Sequence, residues 1–116
     1  MEPPAGFTDF VLEMLEPMGG VSTRRMFGGV GLFRSGVMFG LIGSDTLYLK
    51  VDEQNRGAYE DAGTGPFTYR REGREIALSY YEAPPDLFDN ADDLSDWARQ
   101  ALEAALRAQD KGARPS

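Results

Sequence analysis

Apolar positions along the chain recur at two periods, and the places where the period changes divide it into elements. Phe7, Phe10, Val11, Met14, Leu15 and Met18 stand at the i, i+3, i+4, i+7, i+8, i+11 positions of an amphipathic helix, predicted over residues 5–16. Pro17 ends that pattern, and Gly19-Gly20 let the chain turn. The period then drops to two. Val21 to Phe27 reads as a strand, broken by Gly28-Gly29. Val30–Phe33 and Val37–Ile42 flank the short turn Arg34-Ser35-Gly36 and read as a hairpin. The second of these is apolar on both sides, which predicts a central or doubly covered strand. Thr46–Val51 places Leu47, Leu49 and Val51 on one face, with Tyr48 and Lys50 on the other. Short turns between successive strands predict an antiparallel meander.

Asp52 reads as a helix N-cap, with a helix over about 53–62 ending at Gly63. A second hairpin follows, Phe67–Arg71 and Arg74–Tyr81 across Glu72-Gly73, closed by Pro84-Pro85. Asp86–Phe88 reads as a single turn. The last helix is expected from Asp93 to about Ala108, capped by Asn90 or Asp92, on the stripe Leu94, Trp97, Ala98, Ala101, Leu102, Ala105 and Leu106. The order helix, strands, helix, strands, helix predicts an α+β fold with helices flanking an antiparallel sheet. No repeat or internal boundary interrupts it. The expectation is one domain over residues 1–116, with its core at about 5–108 and a flexible tail at 109–116.

Composition narrows the chemistry. The chain is 41% hydrophobic and 11% aromatic, enough to bury a core and unlike a disordered chain. It has no histidine and no cysteine, which removes the commonest general base, thiol chemistry, disulfides and the usual zinc ligands. No catalytic, cofactor-binding or metal-binding residue is therefore assigned. No apolar run reaches the roughly 20 residues of a spanning helix. Met1–Gly6 lacks the features of a secretory signal. A cytoplasmic location is expected. A net charge of −7 disfavours general nucleic-acid binding, although a local basic patch could still exist.

Four segments could carry function. Arg24-Arg25, with Arg34 nearby, could recognise an acidic partner or a phosphate; the plain alternative is solvation or a salt bridge to a helix carboxylate. On a strand, the two adjacent arginines point to opposite faces. The glycines from Gly28 to Gly43 lack the spacing and strand-to-helix context of a nucleotide loop, so turns, bulges and a helix packed closely over Gly40 explain them better. Phe67–Arg71 with Arg74 interleaves aromatic and basic residues, as single-stranded nucleic-acid binders do, but Glu72 and Glu75 cancel much of the charge. The acidic run from Glu82 to Asp96 has no calcium-loop spacing and reads as capping and solubility.

Arg24-Arg25-Met26-Phe27-Gly28-Gly29, then Gly31-Leu32-Phe33 and Gly36-Val37-Met38-Phe39, resembles the signature of the TfoX/Sxy N-terminal domain family. Leu47–Asp52, Pro66–Tyr69, Ser79-Tyr80-Tyr81 and Trp97-Ala98-Arg99 extend the resemblance over about residues 5–108. It implies a secretion-chaperone-like α+β fold. It also implies kinship with regulators of natural competence in bacteria, thought to act with the cyclic-AMP receptor protein at promoters. Longer members carry a second, helical C-terminal domain, so a stand-alone N-terminal-like domain is expected here, and no catalytic residues come with the family. The resulting expectation is a non-enzymatic protein-interaction module with a transcription- or competence-related role and a transcription factor as one candidate partner. Arg24, Arg25, Phe27 and Arg34 form the expected contact surface, with Tyr69, Arg70 and Arg71 as a secondary part. A nucleic-acid binder using the basic hairpin and a small-molecule-binding domain are the alternatives. An exposed strand edge or helix face could also support a homodimer.

Overall fold

In a computed structural model, residues 3–26 and 28–113 are described. The elements are α1 (Phe7–Met14), β1 (Val21–Met26), β2 (Gly29–Arg34), β3 (Val37–Gly43), β4 (Thr46–Lys50), α2 (Arg56–Asp61), β5 (Pro66–Arg71), β6 (Arg74–Glu82), a 3-10 turn (Pro85–Asp89) and α3 (Ala91–Ala113). The expected element order and the α+β class hold. Six strands form one antiparallel sheet in the order β1-β2-β3-β4-β6-β5.

The doubly apolar β3 lies inside the sheet, as its pattern predicted. Its two faces do different work. Ile42 pairs with Val30 and Leu47, and all three join the main core; Leu41 pairs with Gly31 and Tyr48 on the opposite face and is buried outside that core. A register shift between Leu32 and Phe33 brings both Phe39 and Ile42 into the core, although strict alternation would separate them. Helix α3 packs across β3 and β4 and presents Leu94, Ala98 and Ala101, all fully buried. Its small side chains let the helix approach the sheet, and the larger Leu15, Leu32, Phe39, Leu47 and Leu49 fill the volume around it. Leu106, placed in the stripe by periodicity, is exposed.

Helix α1 is tied to α3 by polar bonds. The fully buried Ser95 hydroxyl donates to Met14 O at 3.3 Å, and Arg99 Nη2 donates to Pro17 O at 2.8 Å. Asn90 caps α3, its Oδ1 accepting from the amides of Asp92 (2.9 Å) and Asp93 (3.2 Å). The helix runs to Ala113, beyond its expected end near Ala108, and residues 114–116 lie outside the described residues.

Two local expectations change. Asp52 does not cap a helix beginning at residue 53. Its Oδ1 accepts from the Gln54 amide in a turn, and α2 begins only at Arg56. The link is held instead by buried Asn55, whose Oδ1 accepts from the Asp52 amide at 2.8 Å while its Nδ2 donates to Lys50 O at 3.1 Å. Gly40 is crowded not by a helix but by its strand neighbour: a Cβ there would lie 3.1 Å from Leu32 Cδ1. Gly63 does end α2 with a positive φ of 80°.

Candidate interaction surface

Antiparallel partners share a face of the sheet, so the register sorts the side chains without ambiguity. Arg25, Val30, Ile42 and Leu47 form a row on the helix-covered face. Arg24, Gly31, Leu41, Tyr48 and Glu82 form the adjoining row on the other face, which no helix covers among the described residues. Lys50 and Tyr80 pair on this open face, as do Tyr69 and Ile76 and, at the hairpin tip, Arg71 and Arg74. Alternation along β5 puts Phe67 on the same face as Tyr69, and its ring meets Tyr48 edge-on at 5.1 Å.

Aromatic rings and cations are combined on this face. The Arg24 guanidinium carbon lies 5.2 Å from the Phe33 ring centroid, and Lys50 Nζ lies 5.2 Å from that of Tyr80. Lys50 Nζ donates to Ser79 Oγ at 2.5 Å. Partial burial pushes the Lys50 ammonium below its ordinary range, opposed by the Asp52 carboxylate. Tyr80 reaches across β4, its hydroxyl donating a long 3.5 Å bond to Met38 O. Burial raises the Tyr80 phenol; Tyr48 is raised by burial first and then by the Glu82 carboxylate.

Of the residues singled out in the sequence, Arg24, Tyr69 and Arg71 reach the open face. Arg25 and Arg70 belong to the opposite parity, and Arg70 Nη2 closes the hairpin tip by donating to Gly73 O at 2.8 Å. Arg34 ends β2 with its side chain lying against Gly20. Phe27 lies outside the described residues. The two groups of arginines do not converge: β1 and β5 are opposite edges of the sheet, five strand spacings apart, or about 24 Å. Between them stand Phe33, Tyr48, Lys50 and Tyr80, which a motif-centred reading passes over. Their signal was present in the alternation of β4, where Tyr48 and Lys50 oppose the leucines.

Charge follows the same division. Among the described residues, strands carry Arg24, Arg25, Arg34, Lys50, Arg70, Arg71 and Arg74 but only Glu75 and Glu82 of the carboxylates. Nearly all of the other acidic residues stand on the helices and turns, so the net charge of −7 conceals a cationic sheet backed by an anionic helical layer.

The TfoX N-terminal domain profile matches residues 13–105. The chain belongs to this family. It is 28% identical over 95 residues to Protein Sxy of Escherichia coli (strain K12), covering 82% of this chain and 46% of that protein. It is 28% identical over 75 residues to DNA transformation protein TfoX1 of Aliivibrio fischeri, covering 65% of this chain and 35% of that protein. The chain thus spans less than half the length of these relatives. Among the described residues no group of three or more His, Cys, Asp and Glu could hold a metal ion, and no helix is long and apolar enough to cross a membrane.

Proposed function

We propose that this TfoX N-terminal domain is a non-enzymatic interaction module of competence-related regulation, and that it docks an acidic protein surface on the open face of its sheet. The single observation that carries the reading is the concentration of cations and aromatic rings on a sheet face that, among the described residues, no helix covers. Arginine and aromatic side chains are the groups that anchor protein interfaces, and a cationic face selects an acidic partner. Two copies meeting through this face would oppose cation to cation, which disfavours a symmetric face-to-face pair. The names of the relatives, one of them a DNA transformation protein, support the regulatory setting.

The test is an Arg24→Glu/Arg71→Glu variant expressed in a competent host. Both side chains are exposed, so the expected melting temperature is unchanged. Transformation frequency and co-purification of an acidic partner should both fall at least tenfold. An unchanged frequency together with unchanged capture rejects the open face as the docking surface. Retention of the parent chain on single-stranded DNA, with affinity falling steeply as salt rises, would replace the protein partner with a nucleic acid.

A further inference from the structure

A second surface has the opposite chemistry. Where β6 leaves the sheet, Phe7, Phe10, Leu47 and Phe88 line a groove of about 210 Å3, and Asp45 and Glu82 stand at its rim. Phe10 is 42% exposed, although it belongs to the apolar stripe of α1, and its ring stacks on Phe88 at 5.8 Å and 22°. Phe7 flanks the same ring at 6.5 Å. An aromatic stack left half in water, beside an apolar hollow, is a surface ready to be covered.

The rim selects what covers it. Asp45 accepts a 3.3 Å bond from Thr46 Oγ1, and among the described residues neither Asp45 nor Glu82 is ion-paired. The surrounding elements add charge of the same sign: α1 carries Asp9 and Glu13, and the 3-10 turn carries Asp86 and Asp89. Neither of them, nor the Ser44-Asp45 turn, contains a Lys or Arg. A cation entering here meets one carboxylate in the β3–β4 turn, another at the end of β6, and the Phe10 ring, while an apolar neighbour fills the hollow.

We infer that this groove binds a short protein segment in which arginine alternates with an apolar side chain. The groove meets the cationic open face only at Glu82, which ends the Tyr48 row, and its ring stack and hollow do not depend on the partner assigned there. The combination of aromatic stack, hollow and unpaired carboxylates fits arginine better than lysine, because a planar guanidinium both stacks on aromatic rings and pairs with carboxylates.

The experiment titrates the isotopically labelled chain, followed by amide resonances, with two end-blocked tetrapeptides. One is arginine–leucine–arginine–phenylalanine; the other replaces both arginines by glutamate. The expected result is binding of the basic peptide at least tenfold tighter, with shifts centred on Phe10, Thr46, Ala83 and Phe88. Phe10→Ser and Asp45→Lys/Glu82→Lys should each weaken it at least fivefold. Glu60→Lys/Asp61→Lys makes the same charge change on α2, away from the groove, and should weaken it less than twofold. Equal binding of the two peptides, shifts centred elsewhere, or an equal loss in the α2 variant would overturn the inference.

Discussion

Arg107, near the end of α3, grips Asp52, just past the end of β4, through two bonds: Nε to Oδ2 at 2.6 Å and Nη2 to Oδ1 at 3.1 Å. The pair joins the longest helix to the β4–α2 link. Asp52 keeps its other role, accepting from the Gln54 amide. The Arg107 bonds, together with that amide, hold the Asp52 carboxyl down at about 2 against partial burial. The unfolded chain therefore takes up this proton first. The contribution is complete above about pH 4 and is lost as pH falls toward 2. Arg107→Ala should lower stability at pH 7 by about 1 kcal/mol, or roughly 4 °C in Tm, since both side chains are partly exposed. Thermal melts of the two proteins should converge near pH 2.

At the alkaline end the tyrosines govern. Burial raises the phenols of Tyr48, Tyr59 and Tyr80 above their ordinary value of 10.0, so unfolding releases these protons more readily than the folded state does. Stability should hold below about pH 10 and fall above it. Tyr59 is the extreme case. Its ring is 1% exposed and packs edge-on against Trp97 at 4.8 Å, yet its hydroxyl has no hydrogen-bond partner among the described residues. Tyr59→Phe should therefore leave stability at pH 7 unchanged or raise it by about 1 kcal/mol, and should flatten the alkaline decline. Denaturant melts at pH 7 and pH 10.5 check both; a loss above about 1 kcal/mol at pH 7 would mean that the hydroxyl is bonded in solution.

What the sequence disclosed and what it hid follow from the range of the interactions. Local signals were legible: a cap at Asn90 or Asp92, of which Asn90 is the one used, the Gly63 stop, the alternation of β4 and β6, and the central place of the doubly apolar β3. The face that each arginine takes was not. Parity alone separates Arg24 from Arg25, but only the register against Val30 and Gly31 says which of them meets the helices. The bulge opposite Leu32 and Phe33 puts the Phe39 ring in the core beside Ile42, a placement that alternation along β3 cannot predict. Asp52 looked like a cap because its local sequence suits one, and its partner lies 55 residues away. The candidate surface was half legible for the same reason. Motif reading found its two edges, and only the strand order β4-β6-β5 reveals the aromatic strip between them.

Asn55 is a small polar residue with a large structural role. Buried to 6% exposure, it accepts from the Asp52 amide and donates to Lys50 O, fixing the exit of β4. Asn55→Ala leaves a buried donor and a buried acceptor unpaired and should destabilise the fold by about 2–3 kcal/mol. Asn55→Asp keeps the acceptor but sets a buried carboxylate oxygen against Lys50 O, so at pH 7 it should destabilise at least as much as Asn55→Ala. Chemical denaturation of the three proteins orders them, and a neutral Asn55→Ala would show that solvent replaces both bonds.

Glycine substitutions separate backbone need from mere presence. A Cβ at Gly29 would lie 2.4 Å from Ile42 O, a backbone atom of the neighbouring strand that cannot move without breaking the ladder. Gly29→Ala should therefore lower stability by roughly 3 kcal/mol or more, the scale of overpacking in a rigid site. At Gly31 the same Cβ would meet the Phe33 ring at 2.9 Å and Met26 Sδ at 3.2 Å, both side chains of the open face. Gly31→Ala should cost about 1–2 kcal/mol and, by displacing Phe33 from under Arg24, weaken whatever docks there. Gly57 sits in α2 with no positive φ, and a Cβ there would have nothing within 4 Å, so Gly57→Ala should raise stability by about 0.5–1 kcal/mol. Melts of the three single variants should give that order; a Gly29→Ala protein as stable as the parent would mean that β2 and β3 approach less closely than the ladder at Ile42 requires.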